Sequence, residues 1–153
     1  MYVDDLFKIA QNYADINSGC LKVHVGCLIT KDSNIIALGA NRCLPNFCIT
    51  ARGCLRVELY GENSKEHRNP EDCRAIHAEI DAIAHSREPL VGSTIYVTRY
   101  PCEACAKAIV SAGIVKVVYG RQQPISRYTR KIFEHYNIDV YHYKAFDSPD
   151  MLY

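Results

Sequence analysis

The order of elements along this chain predicts an α/β fold: a three-layer sandwich, with helices on both faces of a five-stranded mixed sheet. Three observations predict it. The chain opens on an apolar stripe at helical spacing. Two β-branched runs separated by a turn signal come next. From residue 74 onward, helical and strand patterns alternate.

Val3, Leu6, Phe7, Ile9, Ala10, Tyr13 and Ile16 share one helical face, so a helix covers 2–17. Residues 23–30 are rich in β-branched side chains and end at Lys31-Asp32-Ser33-Asn34. A second run, 35–39, follows, and the pair reads as a hairpin. Residues 74–86 form a helix with Ala75, Ile76, Ile80, Ile83 and Ala84 on its apolar side. Residues 94–98 are a strand. Pro101 suits the first turn of a helix over 102–112, and Gly113 suits its end. A strand over 114–119, a helix over 126–136 and a strand over 138–143 complete the pattern. Residues 41–73 differ: they are rich in Arg, Glu, Asn, Gly and Cys, with weak periodicity. An irregular segment this long is uncommon unless it is functional or clasped. We read 1–153 as one domain carrying this Cys-rich insertion.

The formal net charge is +1, so no global field draws the chain to nucleic acid or to an anionic membrane. A pocket needs only one or two local cations to hold a small phosphate. Residues 1–18 carry Asp4 and Asp5 and no continuous apolar run, which predicts neither a secretory signal nor a membrane span there. A cytoplasmic location is the expectation. In a reducing compartment, eight cysteines point to metal binding or catalysis rather than to disulfides.

Two short segments carry the chemistry. His77-Ala78-Glu79 lies near one helix start, and Pro101-Cys102-Glu103-Ala104-Cys105 opens the next. Positions three apart share a helix face, so Cys102 and Cys105 can hold one ion together. The positive end of a helix lowers a thiol pKa and favours metal binding. With His77 as third ligand, one tetrahedral position is left for water, the mark of a catalytic zinc site. Glu79 is placed to take a proton from that water and deliver it to a leaving amine. Taken singly, the Cys-x-x-Cys pair fits half a zinc ribbon or a redox pair, and a lone histidine on a helix is usually a satisfied side chain. Together they match the recorded His-x-Glu…Pro-Cys-x-x-Cys signature of zinc nucleobase deaminases.

On these residues the chain resembles the cytidine and deoxycytidylate deaminase superfamily, and within it the deoxycytidylate (dCMP) deaminases. Matching stretches are Val25-Gly26-Cys27-Leu28-Ile29, Gly39-Ala40-Asn41, Cys73-Arg74-Ala75-Ile76-His77-Ala78-Glu79, and Ile95-Tyr96-Val97-Thr98 through Gly113-Ile114. The resemblance implies hydrolysis of dCMP to dUMP with release of ammonia. Glu79 would protonate the ring nitrogen and then the departing amine. It further implies that Asn41 contacts the sugar or base, that the backbone around Ala78 lines the pocket, and that the chain forms a homo-oligomer with possible nucleotide triphosphate regulation. Three departures stand out. Gly39-Ala40-Asn41-Arg42 replaces Gly-Tyr-Asn-Gly. Asp81 stands where the family usually has Asn. His24 precedes Val25-Gly26, where a small or basic residue is commoner. Asp81 could disfavour a nearby phosphate or pair with an arginine such as Arg42.

Some dCMP deaminases tie such an insertion down with a second, structural zinc. Cys20, Cys48, His67 and Cys73 are the expected four ligands here, with Cys54 the alternative donor. The competing reading makes these cysteines small buried hydrophobes. Cys27 and Cys43 are expected in the core or pocket wall. Arg52, Arg56, Arg68 and Arg74 give the insertion a basic bias, and one or two of them are candidates for the substrate phosphate. The expected partner is a small nucleotide, without large nucleic acid or membrane. Rival functions are deamination of another nucleobase or nucleoside, deamination of transfer-RNA adenosine, and a non-catalytic zinc-binding module. A large RNA footprint would want a basic face, which the near-neutral charge does not supply. Glu79 would have no task in a non-catalytic module.

Overall fold

The computed structural model describes residues 1–50, 52–61, 73–122 and 127–147. Helix α1, Val3–Asn17, opens the chain. Strands β1, Gly26–Lys31, and β2, Asn34–Ala40, follow as an antiparallel hairpin. Its two turn residues, Asp32 and Ser33, have φ of 48° and 64°. Positive φ at both central positions lets a two-residue turn match the strand twist.

The sheet runs β2-β1-β5-β6-β7, with β5 Thr94–Arg99, β6 Lys116–Arg121 and β7 Asp139–His142. Strand β1 is antiparallel to both its neighbours, while β5, β6 and β7 are parallel. The mixed five-stranded sheet expected from the element order is thus observed. Helices α3 Ala78–His85, α4 Glu103–Ser111 and α5 Arg127–His135 supply the parallel crossovers.

Alternation along the strands builds two cores. Cys27, Ile29, Val97, Val117 and Tyr119 face α3–α5 and meet Ala82, Ile109 and Phe133. Leu28 faces α1 and packs with Leu6 and Ala10. Phe7, with no exposed surface, stacks on Tyr143 and Phe146, the latter in a 3₁₀ turn over Lys144–Asp147. The contact of α1 with β1 is so close that a Cβ on Gly26 would lie 2.0 Å from the Ala10 carbonyl oxygen.

Three expectations change. The first strand begins at Gly26 rather than 23, because the Asn41 side chain takes the backbone partners of Val23 and Val25. The helix expected over 74–86 begins at Ala78. Ile76 instead bridges to Arg42, and His77 is extended (φ −70°, ψ 148°), so Ala75 and Ile76 are not on a helix. The irregular insertion also holds local order: a small hairpin of β3, Ile49–Thr50, and β4, Gly53–Cys54, then helix α2, Leu55–Tyr60. No helix among the described residues is long and apolar enough to cross a membrane.

Candidate metal centre and active site

His77 is the N-cap of α3, and Cys102 is the N-cap of α4. Cys105 lies in the first turn of α4. Strand β5 leads directly into that turn and brings two helix starts together at one end of the sheet. The positive ends of both helices therefore meet at the same point.

His77 Nδ1 is 3.4 Å from Cys102 Sγ and 3.4 Å from Cys105 Sγ. The three donor atoms all lie within 4.8 Å of one another. A tetrahedral zinc ion with ordinary bond lengths places sulfur and nitrogen ligands about 3.5 Å apart. The trio fits such an ion in chemistry and in spacing. Cys105 is fully buried, and His77 and Cys102 are half-buried. The Cys105 thiol, seconded by His77, pulls the Cys102 pKa down to about 4. One thiolate therefore stands ready at neutral pH, as a cation site requires.

Glu79 follows on the first turn of α3 and is 5% exposed. Burial raises its carboxyl above the ordinary range, opposed in part by its own backbone N–H and by His77. A carboxyl raised in this way holds and releases a proton more readily near neutrality, as a general acid–base must. Cys27 lies beneath, without exposed surface, its thiol pushed up by burial and then by Glu79.

Asn41 is 8% exposed at the end of β2. Its Oδ1 accepts from Val25 N at 2.8 Å and meets the Ser18 hydroxyl at 2.6 Å, and its Nδ2 donates to Val23 O at 2.9 Å. An amide has two N–H donors, so among the described residues one remains without an acceptor. Asn41 thus staples the 18–25 loop to the sheet. Ser18, 1% exposed and bonded also to the Asn41 carbonyl at 2.7 Å, is a member of this network that sequence reasoning missed. Nothing in the pattern around Ser18 signals it, because its partner is 23 residues away. Thr98 was missed likewise; its Oγ1 accepts from Gly26 N at 3.0 Å. Ala78 is 1% exposed, with its methyl in the core.

Cys43, Cys48, Cys54 and Cys73 lie on the insertion. Cys48 Sγ lies 3.0 Å from Cys43 Sγ, so Cys43, expected in the core or pocket wall, joins this group. Burial raises the Cys48 thiol, and Cys73, Cys54 and Cys20 are near enough to raise it further. His67 and Arg68 lie outside the described residues. Among the described residues, these thiols do not converge within the 4.8 Å that unites His77, Cys102 and Cys105. All eight cysteines are free. Arg74 stacks 4.7 Å over the Phe47 ring, and Arg52 is exposed beside the β3–β4 hairpin.

Residues 3–121 match the family model for the cytidine and deoxycytidylate deaminase zinc-binding region. The chain is 31% identical to deoxycytidylate deaminase of Saccharomyces cerevisiae over 95% of its own length, and spans 46% of that protein. It is 34% identical to deoxycytidylate deaminase of Mycobacterium phage D29, with 78% of this chain and 94% of the phage protein covered. The crystal structure of dCMP deaminase from cyanophage S-TIM5, in complex with dCMP and dUMP, superposes with a TM-score of 0.68 at 26% identity. That superposition covers 91% of this chain and 94% of the phage chain.

Proposed function

Since this chain belongs to the cytidine and deoxycytidylate deaminase family, we propose that it hydrolyses dCMP to dUMP with release of ammonia. The observation that carries the proposal is the convergence of His77, Cys102 and Cys105 within 4.8 Å beside a buried Glu79. A zinc-binding trio alone fits a structural site. A buried carboxyl next to it fits proton transfer.

His77 Nδ1 and the Cys102 and Cys105 thiolates would hold a zinc ion, which when bound would supply an acidified water. Glu79 takes one proton from the water that attacks the ring carbon bearing the amine and passes it to the ring nitrogen. It then takes the remaining hydroxyl proton and passes it to the departing amine, so that dCMP and water give dUMP and ammonia. Burial of Glu79 keeps this proton from exchanging freely with solvent. Asn41 directs its one remaining N–H toward the sugar or base, and the backbone at Ala78 lines the pocket.

The proposal extends to a second, structural zinc on the insertion, held by Cys20, Cys48, His67 and Cys73, with Cys54 as the alternative donor. The closeness of Cys20, Cys54 and Cys73 to Cys48 supports it. A metal there would close the 41–73 loop and limit the unfolded chain. We also propose that residues 1–153 act as one catalytic domain, in a homo-oligomer, in the cytoplasm.

The test is the ultraviolet spectrum of dCMP over time with purified, zinc-loaded protein. The expected result is conversion to the spectrum of dUMP. Zinc bound at the trio with no conversion would reject dCMP as the substrate.

A further inference from the structure

Asp81 is 1% exposed, a carboxylate buried with no part in the chemistry described above. It lies two positions beyond Glu79 on α3, about 200° around the helix, so the two carboxyls point to different sides. Asp81 faces β2. Its Oδ2 accepts from Ala40 N at 3.1 Å and from Arg42 Nη2 at 3.2 Å. His85 Nδ1 donates to the Asp81 carbonyl at 2.9 Å and lies 3.1 Å from Oδ1, which accepts no hydrogen bond among the described residues. A buried carboxylate is tolerable only with partners of this kind.

These contacts close a ring. Asp81 holds Ala40 and Arg42, which flank Asn41. Arg42 exchanges both backbone hydrogen bonds with Ile76, each 2.9 Å. Ile76 leads into His77, whose carbonyl accepts from Asp81 N at 2.9 Å. On the dCMP reading, two residues held by the ring, Asn41 and His77, serve the substrate and the metal. The ring begins where β2 and α3 touch through backbone: a Cβ on Gly39 would lie 2.2 Å from the Ala78 carbonyl oxygen. The Arg42 side chain is 37% exposed, so the pair matters more to the 1% exposed Asp81, whose counter-charge is the Arg42 guanidinium.

We infer that Asp81, charge-paired with Arg42, is a positioning residue that fixes the Asn41 end of β2 against the helix start bearing His77 and Glu79, and thereby sets nucleotide binding. The inference rests on the dCMP reading for its substrate. Neither partner can be changed alone. Asn at 81 can still accept from Ala40 N and Arg42 Nη2 through one oxygen, but it leaves the guanidinium without a counter-charge and puts an NH₂ where Oδ1 faced His85 Nδ1. Gly at 42 leaves the buried carboxylate without its guanidinium. Changing both leaves neither charge unpaired.

The experiment compares D81N, R42G and the double variant with the zinc-loaded wild type, by dCMP kinetics and by backbone amide exchange over 38–44. Each single variant is expected to raise KM about tenfold, with kcat within about threefold, and to speed exchange over 38–44. The double variant should return KM to within about threefold of wild type. A merely structural role would lower melting temperature and active fraction without this KM effect or this rescue. Unchanged KM in both folded single variants, or a double variant no better than either, overturns the inference. If a single variant fails to fold, KM of the double variant decides on the same threshold. If the wild type does not turn over dCMP, the substrate reading falls, and unchanged exchange over 38–44 in folded D81N overturns the positioning role separately.

Discussion

Replacing Glu79 with Gln removes the proton carrier and leaves the shape of the pocket nearly intact. Glu79 is only 5% exposed, so solvent is poorly placed to take over its task. General acid–base catalysis by a positioned side chain contributes roughly 10²- to 10⁴-fold, or about 3–5 kcal/mol of barrier. With Glu79 serving both the incoming water and the departing amine as proposed, kcat should fall by about 10³-fold or more. KM should stay within about threefold, since the change touches proton transfer rather than ground-state contacts. Zinc content should be unchanged, because His77, Cys102 and Cys105 supply the ligand set without Glu79. The assay follows the change from cytosine to uracil absorbance in dCMP, with zinc measured on the same samples. More than a tenth of wild-type kcat in E79Q would refute the proton-shuttle role. Loss of zinc from E79Q would show that Glu79 holds the metal instead.

C105A should lose one equivalent of zinc and the deaminase activity together, read by atomic absorption and the dCMP assay; activity without that metal would break the assignment. C48S should lose a different equivalent, and a lower melting temperature should accompany it; an unchanged zinc count would remove Cys48 from the second site. F7A opens a cavity against Tyr143 and Phe146, whose ring centroids lie 5.1 Å and 5.0 Å away. It should cost about 3–5 kcal/mol in denaturant unfolding, and a cost under about 1 kcal/mol would mean the 143–146 segment does not brace α1.

The sheet was legible because its signals are local. Alternation along β1, the two-residue turn at Asp32-Ser33 and the Pro101 and Gly113 boundaries of α4 each sit within a few residues of the structure they specify. The start of α3 was not. Ala75 and Ile76 continue the apolar period of the helix, yet Ile76 is drawn into a bridge with Arg42, 34 positions earlier. Periodicity cannot register a competing partner that distant. The same limit hid order in the insertion: β3 and β4 are two residues each, too short for alternation to show.

The candidate site divides along the same line. His77, Glu79, Cys102 and Cys105 could be found because each pair sits on a single helix start, and one strand between them sets the two starts side by side. Asn41 was singled out by the resemblance, but its hydrogen bonds to Ser18, Val23 and Val25 were not legible, since they depend on how the hairpin meets the end of α1. Arg42 and Asp81 are the sharper case. As departures from a family pattern they leave two readings open: Asp81 repels a nearby phosphate, or it pairs with an arginine such as Arg42. At 3.2 Å from each other they are a pair, since the 1% exposed carboxylate would otherwise be left without a counter-charge. On the inference above, two departures that neutralise each other keep the frame around Asn41 and His77, and with it the chemistry proposed for the unchanged residues.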